Sequence, residues 1–95
     1  VMAEEGMVVV ILPIDQNSHE LQGEPEVITR GFIYIKENLE FLKETKIKIS
    51  QLVKSIGGKR MDYRIVRRKV QEELEKFFFS STGRRPMVLP VIIEV

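Results

Sequence analysis

The sequence predicts an α+β domain of element order ββααβ, a three-stranded sheet with two antiparallel helices packed on one of its faces. Three observations carry this. Apolar, β-branched runs stand near the start and at the end, over residues 7–14 and 87–95. Between residues 37 and 78 the apolar positions instead recur every three or four residues. Glycine and proline mark the junctions, as Gly6, Gly57, Gly58, Gly83 and Pro86.

Each element has its own signature. Residues 7–14 form a continuous apolar run bounded by Gly6 and by a polar stretch over residues 15–24, which reads as a buried strand. Residues 27–35 read as a second strand, paired with the first in a hairpin whose tip spans residues 15–23. Gly31 interrupts that strand as a bulge or a close backbone approach. Over residues 37–56 the positions Leu39, Leu42, Lys46, Ile49, Val53 and Ile56 form one helical stripe, the stem of Lys46 covering its edge, and Gly57 and Gly58 end the helix. Asp62 is placed to cap a second helix with the stripe Tyr63, Val66, Val70, Leu74 and Phe77 or Phe78. Gly83 closes it, and Pro86 follows where a stop is common. Residues 87–95 form the third strand. Pro90 cannot donate to a ladder, so this strand belongs at a sheet edge or carries a bulge. Two helices joined by a short loop bring the chain back to its starting level, which places both on the same side of the sheet.

The first and third strands are apolar at nearly every position, the pattern of a sheet covered on both faces. Two helices cover only one. The other face is therefore expected to meet another domain or a second copy, because a large exposed apolar patch is rare on a monomer.

A length of 95 residues fits one domain over residues 1–95. Chains of this size bury only about 60–65% of their unfolded surface, so the core is small. With 43% hydrophobic and 31% charged residues, disordered and fibrous classes are set aside. The absence of cysteine removes disulfides, thiolate metal ligands and thiol nucleophiles, and suits a reducing cytoplasm. The run over residues 7–14 is too short to span a bilayer, so no membrane association is expected. An opening at Val1 that runs within a few residues into a strand suggests a piece of a longer protein. The net charge of +1 conceals an asymmetry: residues 1–47 hold nine acids and four bases, residues 48–95 five acids and eleven bases.

No catalytic set emerges. His19, the sole histidine, lies between Ser18 and Glu20 in the hairpin tip, where neighbouring side chains point apart and no acid is placed to orient the ring. Metal ligation would need three or four convergent donors, which one histidine and no cysteine do not supply. Glu4 with Glu5, and Glu72 with Glu73 and Glu75, read as solvated surface. Gly57, Gly58 and Lys59 follow a helix rather than preceding one, unlike a phosphate-cradling loop. What remains is a basic ridge of Lys59, Arg60, Arg64, Arg67, Arg68 and Lys69, opposed locally only by Asp62. It suits RNA phosphates, and equally the acids of a neighbouring domain. Phe77, Phe78 and Phe79 resemble a base-stacking platform, but their place at the end of a stripe assigns at least two of them to the core.

Three strings carry a family resemblance. Residues 2–10 (MAEEGMVVV), 29–35 (TRGFIYI) and 82–95 (TGRRPMVLPVIIEV) resemble, in order, the opening, the second-strand signature and the ending of the C-terminal domain of ribonuclease J. Arg30, Gly31, Phe32, Arg85, Pro86 and Pro90 are its structural signature positions here. Departures are Glu5 where the family suggests aspartate, Thr29 where it suggests serine, and a short connection over residues 57–61. The resemblance implies a parent enzyme with a metallo-β-lactamase domain, an inserted β-CASP domain and a linker before this module. It places two zinc ions in the lactamase domain, so no cofactor, metal ligand or catalytic residue carries over to this chain. The implied parent activity is 5′ to 3′ exonucleolytic and endonucleolytic RNA cleavage in mRNA decay and rRNA maturation. This domain's implied role is dimerisation and full activity, its partners being its own catalytic domains or a second subunit. Two other classes stand beside this one: a stand-alone RNA-binding module acting through the ridge over residues 59–69, and a regulatory domain that dimerises through its sheet and binds a small ligand. The latter would need glycine-rich turns lining a pocket, which are not evident.

Overall fold

Strand β1 (Met7–Ile14) occupies the middle of a mixed sheet, flanked by β2 (Glu26–Arg30) and β3 (Met87–Glu94) in the order β2-β1-β3. The architecture comes from a computed structural model that describes residues 5–56 and 62–95. β1 pairs antiparallel with β2, from Met7 opposite Arg30 to Ile11 opposite Glu26, and parallel with β3, from Met7 opposite Met87 to Ile14 opposite Glu94. A parallel partner requires a crossover, and α1 (Ile33–Lys36), α2 (Leu39–Ile56) and α3 (Tyr63–Thr82) provide it. The α+β class and the order of the long elements are those expected from the sequence, with one short helix added.

Hydrogen bonds explain why two prolines are tolerated. The Met87 N–H donates to the Gly6 carbonyl and the Val95 N–H to the Ile14 carbonyl, both at 2.9 Å. Odd-numbered residues of β3 therefore face β1 through their N–H groups, and even-numbered residues face away. Pro90 is even, so its missing donor falls on the open edge and no ladder bond is lost. Of the two placements open to it in the sequence, the edge is the one found. Pro13 lies beyond the last β1–β2 pair, Ile11 with Glu26, and its carbonyl accepts from the Gln22 N–H at 2.7 Å.

The second strand is shorter than expected. It ends at Arg30, because Gly31 adopts φ +69° and redirects the chain, and residues 33–36 form the helical turn α1. Phe32 and Ile35 turn into the core, while Ile33 and Tyr34 stay exposed. Four consecutive apolar residues satisfy a strand or a helical period equally, so the pattern could not separate the two. The close backbone approach read at Gly31 is present. Its partner is Gly6 at φ +101°, where an added Cβ would lie 2.6 Å from the Gly31 carbonyl oxygen.

The buried stripe of α2 is rotated from the expected one. Phe41, Thr45, Ile49 and Val53 face inward at steps of four, Leu42, Lys46 and Ile56 lie at the margin, and Leu39 is 73% exposed. Phe41 takes the inner position because it stacks on Phe77, with centroids 5.4 Å apart. Thr45 is tolerated in the core because its hydroxyl donates to the Phe41 carbonyl at 2.8 Å. Asn38 caps the helix by accepting the Phe41 N–H at 3.1 Å. Gly57 and Gly58, read as its terminator, lie outside the described residues.

Helix α3 follows its sequence pattern. The Asp62 carboxylate accepts the Arg64 N–H at 2.9 Å, Val66, Val70, Leu74 and Phe78 are buried, and Gly83 ends the helix in the left-handed region. Those residues meet Val8, Val10, Leu12 and Ile14 of β1 and Val88 of β3, all fully buried, and this is the core.

Candidate functional site

Among the described residues, no helix covers one face of the sheet, and that face is apolar. Strand alternation turns Met7, Val9, Ile11 and Pro13 of β1 to this side, beside Met87, Leu89, Val91 and Ile93 of β3 and Ile28 of β2. Leu89, Val91, Ile93 and Ile28 are 40–49% exposed, whereas their neighbours on the other side, such as Val88, Val10 and Leu12, are at 0%. Along β2 the same face carries Glu26 at one end and Arg30 at the other, both exposed. It is an apolar strip with one acid and one base along its side.

The basic ridge is only partly described. Lys59 and Arg60 lie outside the described residues. Arg64 is exposed and pairs with Asp62 at 3.5 Å. Two backbone N–H groups and that guanidinium hold the Asp62 carboxyl below its ordinary pKa, the Arg64 N–H contributing most. Arg67, Arg68 and Lys69 are exposed, with no ion pair among the described residues. No side-chain hydrogen bond holds them among the described residues.

The three phenylalanines divide as expected. Phe78 is fully buried and Phe77 packs on the core. Phe79 is 46% exposed, and the Arg85 guanidinium lies 4.2 Å above its ring centre.

At the hairpin tip the Asp15 carboxylate accepts the Asn17 and Ser18 N–H groups at 2.8 Å each, and these bonds lower its pKa. They shape a turn that places His19 at φ +61°. Its Nδ1 is buried without a partner, beside a cavity of about 460 Å³ between the tip and α2, lined in part by Ser18, Leu21, Ser50, Val53 and Lys54. No carboxylate bonds this nitrogen among the described residues, so the arrangement lacks the orienting acid of a nucleophilic triad. No group of three or more metal-ligating side chains converges among the described residues. His19 as a lone nitrogen donor does not make a zinc set.

The signature positions fall at the β2–α1 junction and at the start and outer edge of β3. Arg30 closes β2, Gly31 lies against Gly6, and Phe32 packs on Phe78 with centroids 5.2 Å apart. Arg85 and buried Pro86 lead into β3, and Pro90 sits on its outer edge. Sequence reading passed over the Glu26–Arg30 pair and the exposed contacts of Arg84, Arg85 and Tyr34. Period-two counting along β2 would have found the first. The second joins residues far apart in the chain and has no local signal.

The sequence profile described as Ribonuclease J C-terminal domain matches residues 1–95. The chain belongs to this family. It is 33% identical over 95 residues to Ribonuclease J 2 of Staphylococcus epidermidis (strain RP62A), covering 99% of this chain and 17% of that protein. Against Ribonuclease J 2 of Staphylococcus aureus (strain NCTC 8325) it is 30% identical with the same coverage. A ribonuclease J C-terminal domain of this kind thus spans about one-sixth of the length of the relatives it matches. No described helix is long and apolar enough to cross a membrane.

Proposed function

We propose that this chain is the assembly module of a longer ribonuclease J, and that its helix-free sheet face closes against the same face of a second copy. The observation that carries this is the exposed strip of Leu89, Val91, Ile93 and Ile28 on a sheet whose other face buries Val8, Val10, Leu12, Ile14 and Val88 completely. The face is favoured over the edge, because Pro90 removes a donor from the outer side of β3 and blunts sheet extension there. A two-fold axis crossing the strands would lay β2 antiparallel over its copy, bringing Glu26 of each near Arg30 of the other. The strip measures roughly 26 by 14 Å from strand rise and spacing. That is below the ~800 Å² per partner of a standard stable interface, so the face alone associates weakly.

The family membership supports the rest of the proposal. The longer protein is a zinc-dependent cytoplasmic ribonuclease with 5′ to 3′ exonucleolytic and endonucleolytic activity in mRNA decay and rRNA maturation. Its zinc is held outside this chain, and this domain supports dimerisation and full activity. A second reading, RNA contact by the α3 ridge, is favoured by the unpaired Arg67, Arg68 and Lys69.

Sedimentation of this chain over a concentration series tests the assembly reading. Association is expected to weaken in Glu26→Arg and to return in the swap Glu26→Arg with Arg30→Glu. A wild-type chain that stays monomeric throughout overturns it, and so does an association indifferent to both changes.

A further inference from the structure

Residues 84 and 85 sit at the end of the sheet where β1 and β3 begin, and their structural duty is carried by the main chain. The Arg84 N–H donates to the Thr82 hydroxyl at 3.0 Å, and the Arg85 N–H donates to the Glu5 carboxylate. Any residue but proline supplies those donors, so the bonds do not explain two arginines. The guanidinia both lie beside aromatic residues. That of Arg85 lies over Phe79, and that of Arg84 sits beside the Tyr34 hydroxyl. Tyr34 packs on Phe32 at 5.3 Å between ring centres, and Phe32 packs on buried Phe78. Arg85 thus rests on an exposed ring, and Arg84 lies beside a tyrosine whose ring packs toward the core.

Neither guanidinium has a carboxylate within ion-pair distance among the described residues. Glu5 is the nearest acid acting on Arg84, and it already accepts the Arg85 N–H. Two exposed guanidinium forks with no ion pair among the described residues, one of them stacked on Phe79, match the oxygens of a phosphodiester, and the stacked guanidinium leaves its outer plane open to a base. Tyr34 and Phe79, 38% and 46% exposed, add aromatic surface alongside. The α3 ridge compares poorly, since Arg64 is paired with Asp62, and Arg67, Arg68 and Lys69 have no anchoring bond among the described residues.

We propose that Arg84 and Arg85, with Tyr34 and Phe79, form a contact for single-stranded RNA, the guanidinia on its phosphodiester backbone and unstacked bases against the guanidinium and aromatic surfaces. The proposal rests on the reading that the longer protein acts on RNA, and it places the contact away from the helix ridge.

Fluorescence anisotropy of a labelled single-stranded RNA of about twelve nucleotides, titrated with this chain at several salt concentrations, is the test. The double variant Arg84→Gln with Arg85→Gln is expected to weaken binding about tenfold and to lower the log–log salt slope by about 1.4, the value for two lost single-strand phosphate contacts. The double lysine variant should keep the slope, because charge remains, yet bind more weakly, because the stack is lost. Arg67→Gln with Arg68→Gln should change binding by less than about twofold. If the glutamine variant melts early, the lysine variant carries the comparison. No binding by the wild type overturns the proposal, as does a glutamine variant that binds like the wild type. A variant that alters sedimentation but not RNA binding makes the cluster a protein contact and overturns it too. Sedimentation without RNA reports the sheet-face association separately, so each reading can fail alone.

Discussion

The two faces of the sheet are built from the same residue types and have opposite fates. Val8, Val10, Leu12 and Ile14 on one side of β1 are fully buried under α2 and α3, whereas Val9, Ile11 and Pro13 on the other are half-buried beside exposed Leu89, Val91 and Ile93. Each buried leucine or isoleucine contributes about 1.5–3 kcal/mol relative to exposure. The open face withholds much of that from the isolated fold. Apolar residues therefore serve stability on one side, and on the other remain at the surface.

The contrast breaks most readily on the covered side. Leu12→Ala should cost about 2–5 kcal/mol in denaturant unfolding, since the surrounding core cannot fully collapse. A loss under about 1 kcal/mol would mean that the helices pack loosely on the sheet.

Next in size is the glycine contact that turns the chain from β2 into α1. Gly6→Ala should cost at least about 1–3 kcal/mol, because it combines a left-handed backbone with a Cβ 2.6 Å from the Gly31 carbonyl oxygen. Gly31→Ala has room, its Cβ meeting Gly6 only at 3.5 Å, and should cost about 1–2 kcal/mol for φ +69° alone. Equal melting shifts for the two would refute the close approach.

A smaller effect concerns the cap of α3. The Asp62 carboxyl titrates below its ordinary value of 3.8 in the folded chain, so its contribution is fully present above that pH and is lost as pH falls through the folded pKa. Asp62→Ala should lower the melting temperature at neutral pH, and the gap to wild type should narrow on acidification through this range. A gap constant down to strongly acid pH would show that the charged form of the cap contributes nothing.

The smallest stability effect is the one that sharpens the comparison. Val91→Asp places a charge on the open face, where Val91 is 42% exposed, and should change unfolding free energy by within about 0.5 kcal/mol while abolishing association. A large loss of stability in the monomer would show that this face is already covered within the chain.

Much of this was legible from local pattern. The strand over Met7–Ile14, the Val66, Val70, Leu74 and Phe78 stripe, the Asp62 cap and the Gly83 stop each depend on residues within a turn or two of one another. The same locality explains the errors. Residues 32–35 are apolar throughout and fit two periods, and Leu39 fits the α2 stripe by spacing but lies in its first turn, exposed. At the sites, the sequence by itself determined that the chain carries one histidine and no cysteine, and that its strands hold more apolar surface than two helices cover. Only the tertiary structure decided which apolar positions remain open, that Pro90 faces the outer edge, and that Arg84 and Arg85 come to rest against Tyr34 and Phe79. Those outcomes depend on strand register and on contacts between residues distant in the chain, which periodicity along a single segment does not encode.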